Sequence, residues 1–162
     1  MANSFPIRGI RIALCTFALS SIALTPVASQ SVATTIAQGS SPNQCNATLR
    51  AVKSRIQTGR DTSVDSIRRL SADKGYPRKR PVMLQLAIGG SAGSSIMSSP
   101  QFMRSISTDI INGCSDVSAV QFNLNQTGWT DVFGLIGERV ENFKCYDAGT
   151  AYPGWGYQVC GL

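Results

Sequence analysis

No histidine occurs anywhere in the 162-residue chain. That absence excludes Ser-His-Asp and Cys-His catalysis, both of which need an imidazole base. It also removes the usual companion of cysteine in zinc sites, and none of the five cysteines forms a C-x-x-C pair. No cofactor is therefore expected. Charge is sparse at 15% of residues, and acids are scarcer than bases, with 9 Asp/Glu against 15 Lys/Arg. Two motif matches lose their chemistry in this setting. "GGSAG" at Gly89–Gly93 fits the G-x-S-x-G pattern of a nucleophile elbow, but Ser91 has no histidine to activate it. "SADK" at Ser71–Lys74 fits S-x-x-K without the companion motifs that such enzymes carry. A non-enzymatic role follows as the expectation.

Long apolar runs are missing too. The apolar stretch Ile12–Leu24 has 13 residues, short of the roughly 20 that a membrane-spanning helix needs. Arg8 and Arg11 precede it and small residues follow it, which is the pattern of a secretory signal peptide. We expect a signal peptide at 1–29, a disordered lead-in rich in Ser, Thr, Ala and Gln at 30–41, and a single domain at 42–162. Removing 29 of the 162 residues leaves 133, enough for one core. The expected location is outside the cytoplasm, periplasmic or extracellular, with no stable membrane span after cleavage. Cys15 lies in the apolar stretch, so four cysteines remain: Cys45, Cys114, Cys145 and Cys160. An even number in an exported chain implies two disulfides. Three pairings are open, and Cys45–Cys114 with Cys145–Cys160 is favoured.

The elements follow from periodicity. "SPNQ" at Ser41–Gln44 starts a helix, whose apolar face is Cys45, Leu49, Val52 and Ile56, ending near Gly59. Val64, Ile67 and Leu70 step by three, suggesting a short helix or an irregular turn. Val82, Leu84, Leu86 and Ile88 alternate as a strand, and "GGSAGSS" reads as a loop. A second helix opens at Ser99-Pro100, carries Phe102, Ile106 and Ile110 on one side, and stops at Gly113. Val120, Phe122 and Leu124 alternate as a strand, and two more strands meet at Gly137-Glu138. A two-residue turn there places Asp131 opposite Lys144. "WGYQVC" is the last strand, with Trp155, Tyr157 and Val159 on one face. The fold class is α+β: a two-layer sandwich with a mostly antiparallel sheet of about five strands, two helices and two disulfides.

Two stretches stand out as binding surfaces. From Cys45 to Arg80 there are ten Lys/Arg and three Asp, whereas Pro81 to the end carries three Lys/Arg and six Asp/Glu. Such a basic region attracts an acidic polysaccharide or another polyanion, and its candidate residues are Arg50, Lys53, Arg55, Arg78, Lys79 and Arg80. A solvated helix face and loop would carry the same charge. The aromatics gather at the other end, where Tyr152 and Trp155 with Asp147 suggest a sugar-stacking platform. Their alternative role is the core face of the sheet.

The "SPQF", "IS" and "II" of the second helix, the "W" and "GL" of the strand that follows, and the closing "WGY..C" resemble a family of small exported cyanobacterial proteins. The resemblance implies an exported domain with cysteines in a Gram-negative cell. It carries over no activity and no catalytic residue. The sequence thus points first to a non-enzymatic exported domain that binds acidic polymers at the cell envelope. Carbohydrate binding or processing through the C-terminal aromatics stands as an alternative, as does a structural envelope component without a small ligand.

Overall fold

Ser41-Pro42 begins the first helix for a local reason. The Ser41 Oγ accepts from the Gln44 backbone N–H at 3.3 Å, and Pro42 occupies the first turn, where its missing N–H costs nothing. The computed structural model describes residues 41–77 and 79–160, all within the unit Ala37–Leu162. The expected signal peptide and all but the last residue of the lead-in lie outside the described residues.

Helix α1 (Pro42–Gln57) buries Cys45, Val52 and Ile56 and ends before Gly59, whose φ is 69°. Strand β1 (Ser63–Ser71) follows, then β2 (Val82–Gly89), a short helix α2 (Gly93–Met97), and α3 (Pro100–Gly113). Three strands come next: β3 (Val117–Leu124), β4 (Thr130–Ile136) and β5 (Arg139–Asn142). Together β1 to β5 form one sheet in chain order. Every neighbouring pair is antiparallel except β2 and β3, which are parallel because α2 and α3 cross between them. Two short strands, β6 (Lys144–Tyr146) and β7 (Tyr157–Val159), make a separate parallel pair.

The core lies between the helices and one face of the sheet. Leu84, Leu86, Ile88, Val120, Phe122 and Phe133 meet Val52, Ile56, Met103, Ile106 and Ile110 in one buried cluster. Each large side chain so buried contributes roughly 1.5–3 kcal/mol. The Phe122 and Phe133 rings cross edge-to-face with centroids 6.0 Å apart, a favoured geometry. The Cys45–Cys114 disulfide ties the start of α1 to the end of α3, and Cys145–Cys160 ties β6 to the residue after β7. The fold is thus the α+β layer and the cysteine pairing that the sequence favours.

Four local expectations are corrected. Residues 63–71 form a strand rather than a helix or turn. The three-residue step from Val64 to Ile67 comes from a bulge at Asp65, where the register against β2 shifts; one extra residue breaks the alternation. The segment "GGSAGSS" is not wholly loop, since α2 begins within it. Phe102 does pack against the core beside Ile106 and Ile110, but it is half-buried under Arg55 and Arg60, while Met103 is fully buried. Asp131 does not meet Lys144. The Gly137-Glu138 turn does have two residues, since Ile136 pairs with Arg139, but β5 leaves the sheet after Asn142. Asp131 Oδ1 instead accepts from Asn142 Nδ2 at 3.0 Å and Gln158 Nε2 at 3.3 Å.

Candidate functional site

The described helices cover one face of the sheet. On the other, Met83, Gln121 and Val132 point away from the core, because alternate residues of a strand face opposite ways. The C-terminal segment packs onto this second face. Its anchor is Phe143, which donates its N–H to Val132 O at 2.8 Å and buries its ring beside Ala119 and Val132. Gly134 makes room for that ring.

The chain then turns into β6, a ten-residue loop and β7, closed by Cys145–Cys160. Asp147 opens the loop as a turn: its Oδ1 accepts from Gly149 N–H at 3.0 Å, and its carbonyl accepts from Thr150 N–H at 2.9 Å. Trp155 closes it. The indole Nε1 donates to Leu135 O at 2.9 Å, and the ring meets Phe143 edge-to-face at 4.9 Å. The loop between β1 and β2 approaches the same residue at Gly75. A Cβ on Gly75, at φ 94°, would stand 3.3 Å from Trp155 Cβ.

These elements enclose a groove of about 210 Å³. Met83, Gln121 and Val132 form its floor, and Tyr146, Tyr152, Trp155 and Tyr157 its aromatic walls. Asp73, from the β1–β2 loop, stands at its rim. The Tyr146 and Tyr152 rings tilt toward each other with centroids 5.7 Å apart. Burial, with the nearby Asp73 carboxylate second, raises the Tyr152 phenol above its ordinary value of 10.0. Gln158 also lines the groove and is 9% exposed. Its Nε2 donates to Asp131 Oδ1 and to Phe143 O, while its Oε1 is buried with no hydrogen-bond partner. An unmet buried acceptor costs about 1–3 kcal/mol.

Of the sugar-platform residues, Tyr152 and Trp155 meet in this groove and Asp147 does not line it. Trp155 is half-buried and takes both expected roles, packing on Phe143 and walling the groove. It precedes β7 instead of belonging to it. Asp73, Gln121 and Gln158 are additions that only the structure makes. Gln121 had a signal in the sequence, since it faces away from Val120 and Phe122 in an alternating strand.

The basic candidates are dispersed in their roles. The Arg55 Nη1 donates to Asp109 Oδ2 at 2.7 Å and its Nη2 to Ser105 Oγ at 2.9 Å, with the guanidinium 5.4 Å from the Phe102 centroid. The Arg80 Nη1 donates to Ile111 O at 2.6 Å and Val117 O at 3.1 Å, stitching the end of α3 to β3. Lys79 occupies a turn position with φ 58°. Arg50 and Lys53 line an open depression on α1 with Ser54, Gln57 and Thr58. Arg78 lies outside the described residues.

Among the described residues, no group of three or more His, Cys, Asp or Glu is placed to hold a metal ion. No described helix is long and apolar enough to cross a membrane. No family model matches the chain, and neither a curated protein nor a solved structure shows significant similarity to it.

Proposed function

We propose that the protein is an exported, non-catalytic domain that binds a carbohydrate in the aromatic groove. The observation that carries this reading is the convergence of Tyr146, Tyr152, Trp155 and Tyr157 with the amides of Gln121 and Gln158 around one small cavity. Flat ring faces cover the apolar face of a pyranose, and amides exchange hydrogen bonds with its hydroxyls. Drug-sized ligands occupy pockets of roughly 300–1,000 Å³, so a groove of about 210 Å³ suits one sugar ring of a longer chain. Two disulfides, the basic N-terminus with its apolar stretch, and the resemblance to exported cyanobacterial proteins support a place at the cell envelope.

The test is a glycan array with the disulfide-bonded protein, repeated with Tyr152→Ala. Tyr152 is 40% exposed, so its loss leaves the core intact. Binding to a defined set of glycans should weaken by about tenfold in the variant, the equivalent of 1.4 kcal/mol. Absence of glycan binding, or full binding by the variant, overturns the reading.

A polyanion-binding role keeps one observation in its favour. Among the described residues, none of those lining the depression with Arg50 and Lys53 is acidic.

A further inference from the structure

We propose that the groove selects an amino sugar bearing a free ammonium group, and that Asp73 is the residue that selects it. This inference rests on the carbohydrate reading. The charge inventory of the groove motivates it. Asp73 is the sole ionised side chain among the described residues lining the cavity; the other polar groups are amides, a threonine and tyrosine hydroxyls. Lys74 follows Asp73 in the chain and Lys144 pairs with Tyr157 across β6 and β7, yet neither lines the groove.

A uronic acid or sulfated sugar entering this cavity meets a carboxylate and, among the described residues lining it, no cation to balance it, so like charge opposes it. A neutral sugar gains stacking, amide hydrogen bonds and hydroxyl hydrogen bonds to the carboxylate, without an opposite charge. A hexosamine gains those and a charge-assisted hydrogen bond between its ammonium and the Asp73 carboxylate. Tyr146 and Tyr152 line the same cavity, and their ring quadrupoles favour a cation over an anion.

Two further features agree. The Asp73 carboxylate raises the Tyr152 phenol after burial does, so its field reaches the aromatic wall. Gln158 is nine-tenths buried in the lining and holds an acceptor oxygen without a partner. An ammonium or hydroxyl donor suits such an acceptor better than a carboxylate or sulfate group does. The inference also sets this groove apart from the rest of a chain whose formal charge is +6. In such a chain a carboxylate at the rim of a cavity supplies a local attraction for a cation.

The experiment is an NMR titration of the isotope-labelled, disulfide-bonded protein, purified from an exporting host. The probes are glucosamine, N-acetylglucosamine, glucose and glucuronic acid, at fixed pH and low salt. Glucosamine should bind at least fivefold more tightly than glucose or N-acetylglucosamine, and glucuronic acid most weakly, with shifts at Gln121, Tyr152 and Gln158. In Asp73→Asn the glucosamine advantage over glucose should fall below twofold. Tyr152→Ala should weaken all of the sugars that bind. Equal affinity for glucosamine and glucose in the unaltered protein overturns the amine selectivity and leaves the carbohydrate reading standing. A preference that survives in Asp73→Asn removes Asp73 from the role. Failure of every sugar to perturb the groove overturns both proposals.

Discussion

A Cβ on Gly134 would stand 2.4 Å from Cε1 and 2.6 Å from Cζ of Phe143, a ring that is itself buried and packed against Trp155. Gly134→Ala should therefore destabilise the protein by about 1–3 kcal/mol through overpacking. Urea unfolding measures the loss, and tryptophan fluorescence should report the displaced indole. Tyr152 makes a second prediction at this scale. Burial, then Asp73, holds its phenol protonated above the ordinary value of 10.0. The folded state thus keeps a proton that the unfolded chain releases at that value. The resulting stabilisation is complete below pH 10 and is lost as pH rises through the folded value. The phenolate absorbance difference between the unaltered protein and Tyr152→Phe should give a midpoint above 10. Asp73→Asn should lower that midpoint, and an unmoved midpoint would contradict the assignment.

The elements are held by ties of different reach. Cys45–Cys114 spans 69 residues and joins α1 to α3, whereas Cys145–Cys160 spans 15 and closes only the segment that carries the groove. In the chain-entropy account these contribute about 4 and 3 kcal/mol, the longer loop more. The paired Cys→Ser variants should follow that order in urea unfolding. The two should also differ in kind. Loss of Cys145–Cys160 should leave amide exchange of β1–β4 protected while β6 and β7 exchange faster, since none of the five main strands depends on that bond. Arg80 is a tie of another sort. Its guanidinium serves carbonyls of Ile111 and Val117 where α3 gives way to β3. Arg80→Met keeps the length of the side chain and orphans those oxygens, so stability should fall by about 1–3 kcal/mol. A neutral outcome would place Arg80 on the solvated surface instead.

At the scale of the molecule, the sheet separates two surfaces. The helices and the exposed Arg50 and Lys53 lie on one side, and the groove lies on the other. Retention on an immobilised polyanion should fall with salt. It should drop further when Arg50 and Lys53 are both changed to Glu, and be unaffected by Tyr152→Ala. A Tyr152 effect on retention would mean that the two faces bind as one. What the sequence by itself determined is the set of elements whose apolar period is unbroken: α1, α3, β2, β3 and the β4–β5 turn. It also favoured the observed cysteine pairing and singled out Tyr152 and Trp155. Those features depend on neighbours a few residues apart, or on counting within one compartment. Only the tertiary structure decided the rest. The bulge at Asp65 hid β1, because one unpaired residue turns a period of two into a step of three. Asp73, Gln121 and Gln158 come from three distant elements, so no local pattern announces that they share a cavity. Arg55 and Arg80 read as part of a solvated basic run until packing brings Asp109 and the end of α3 beside them. A charge in sequence has no partner written next to it; only the fold chooses which groups, far away in the chain, it bonds to.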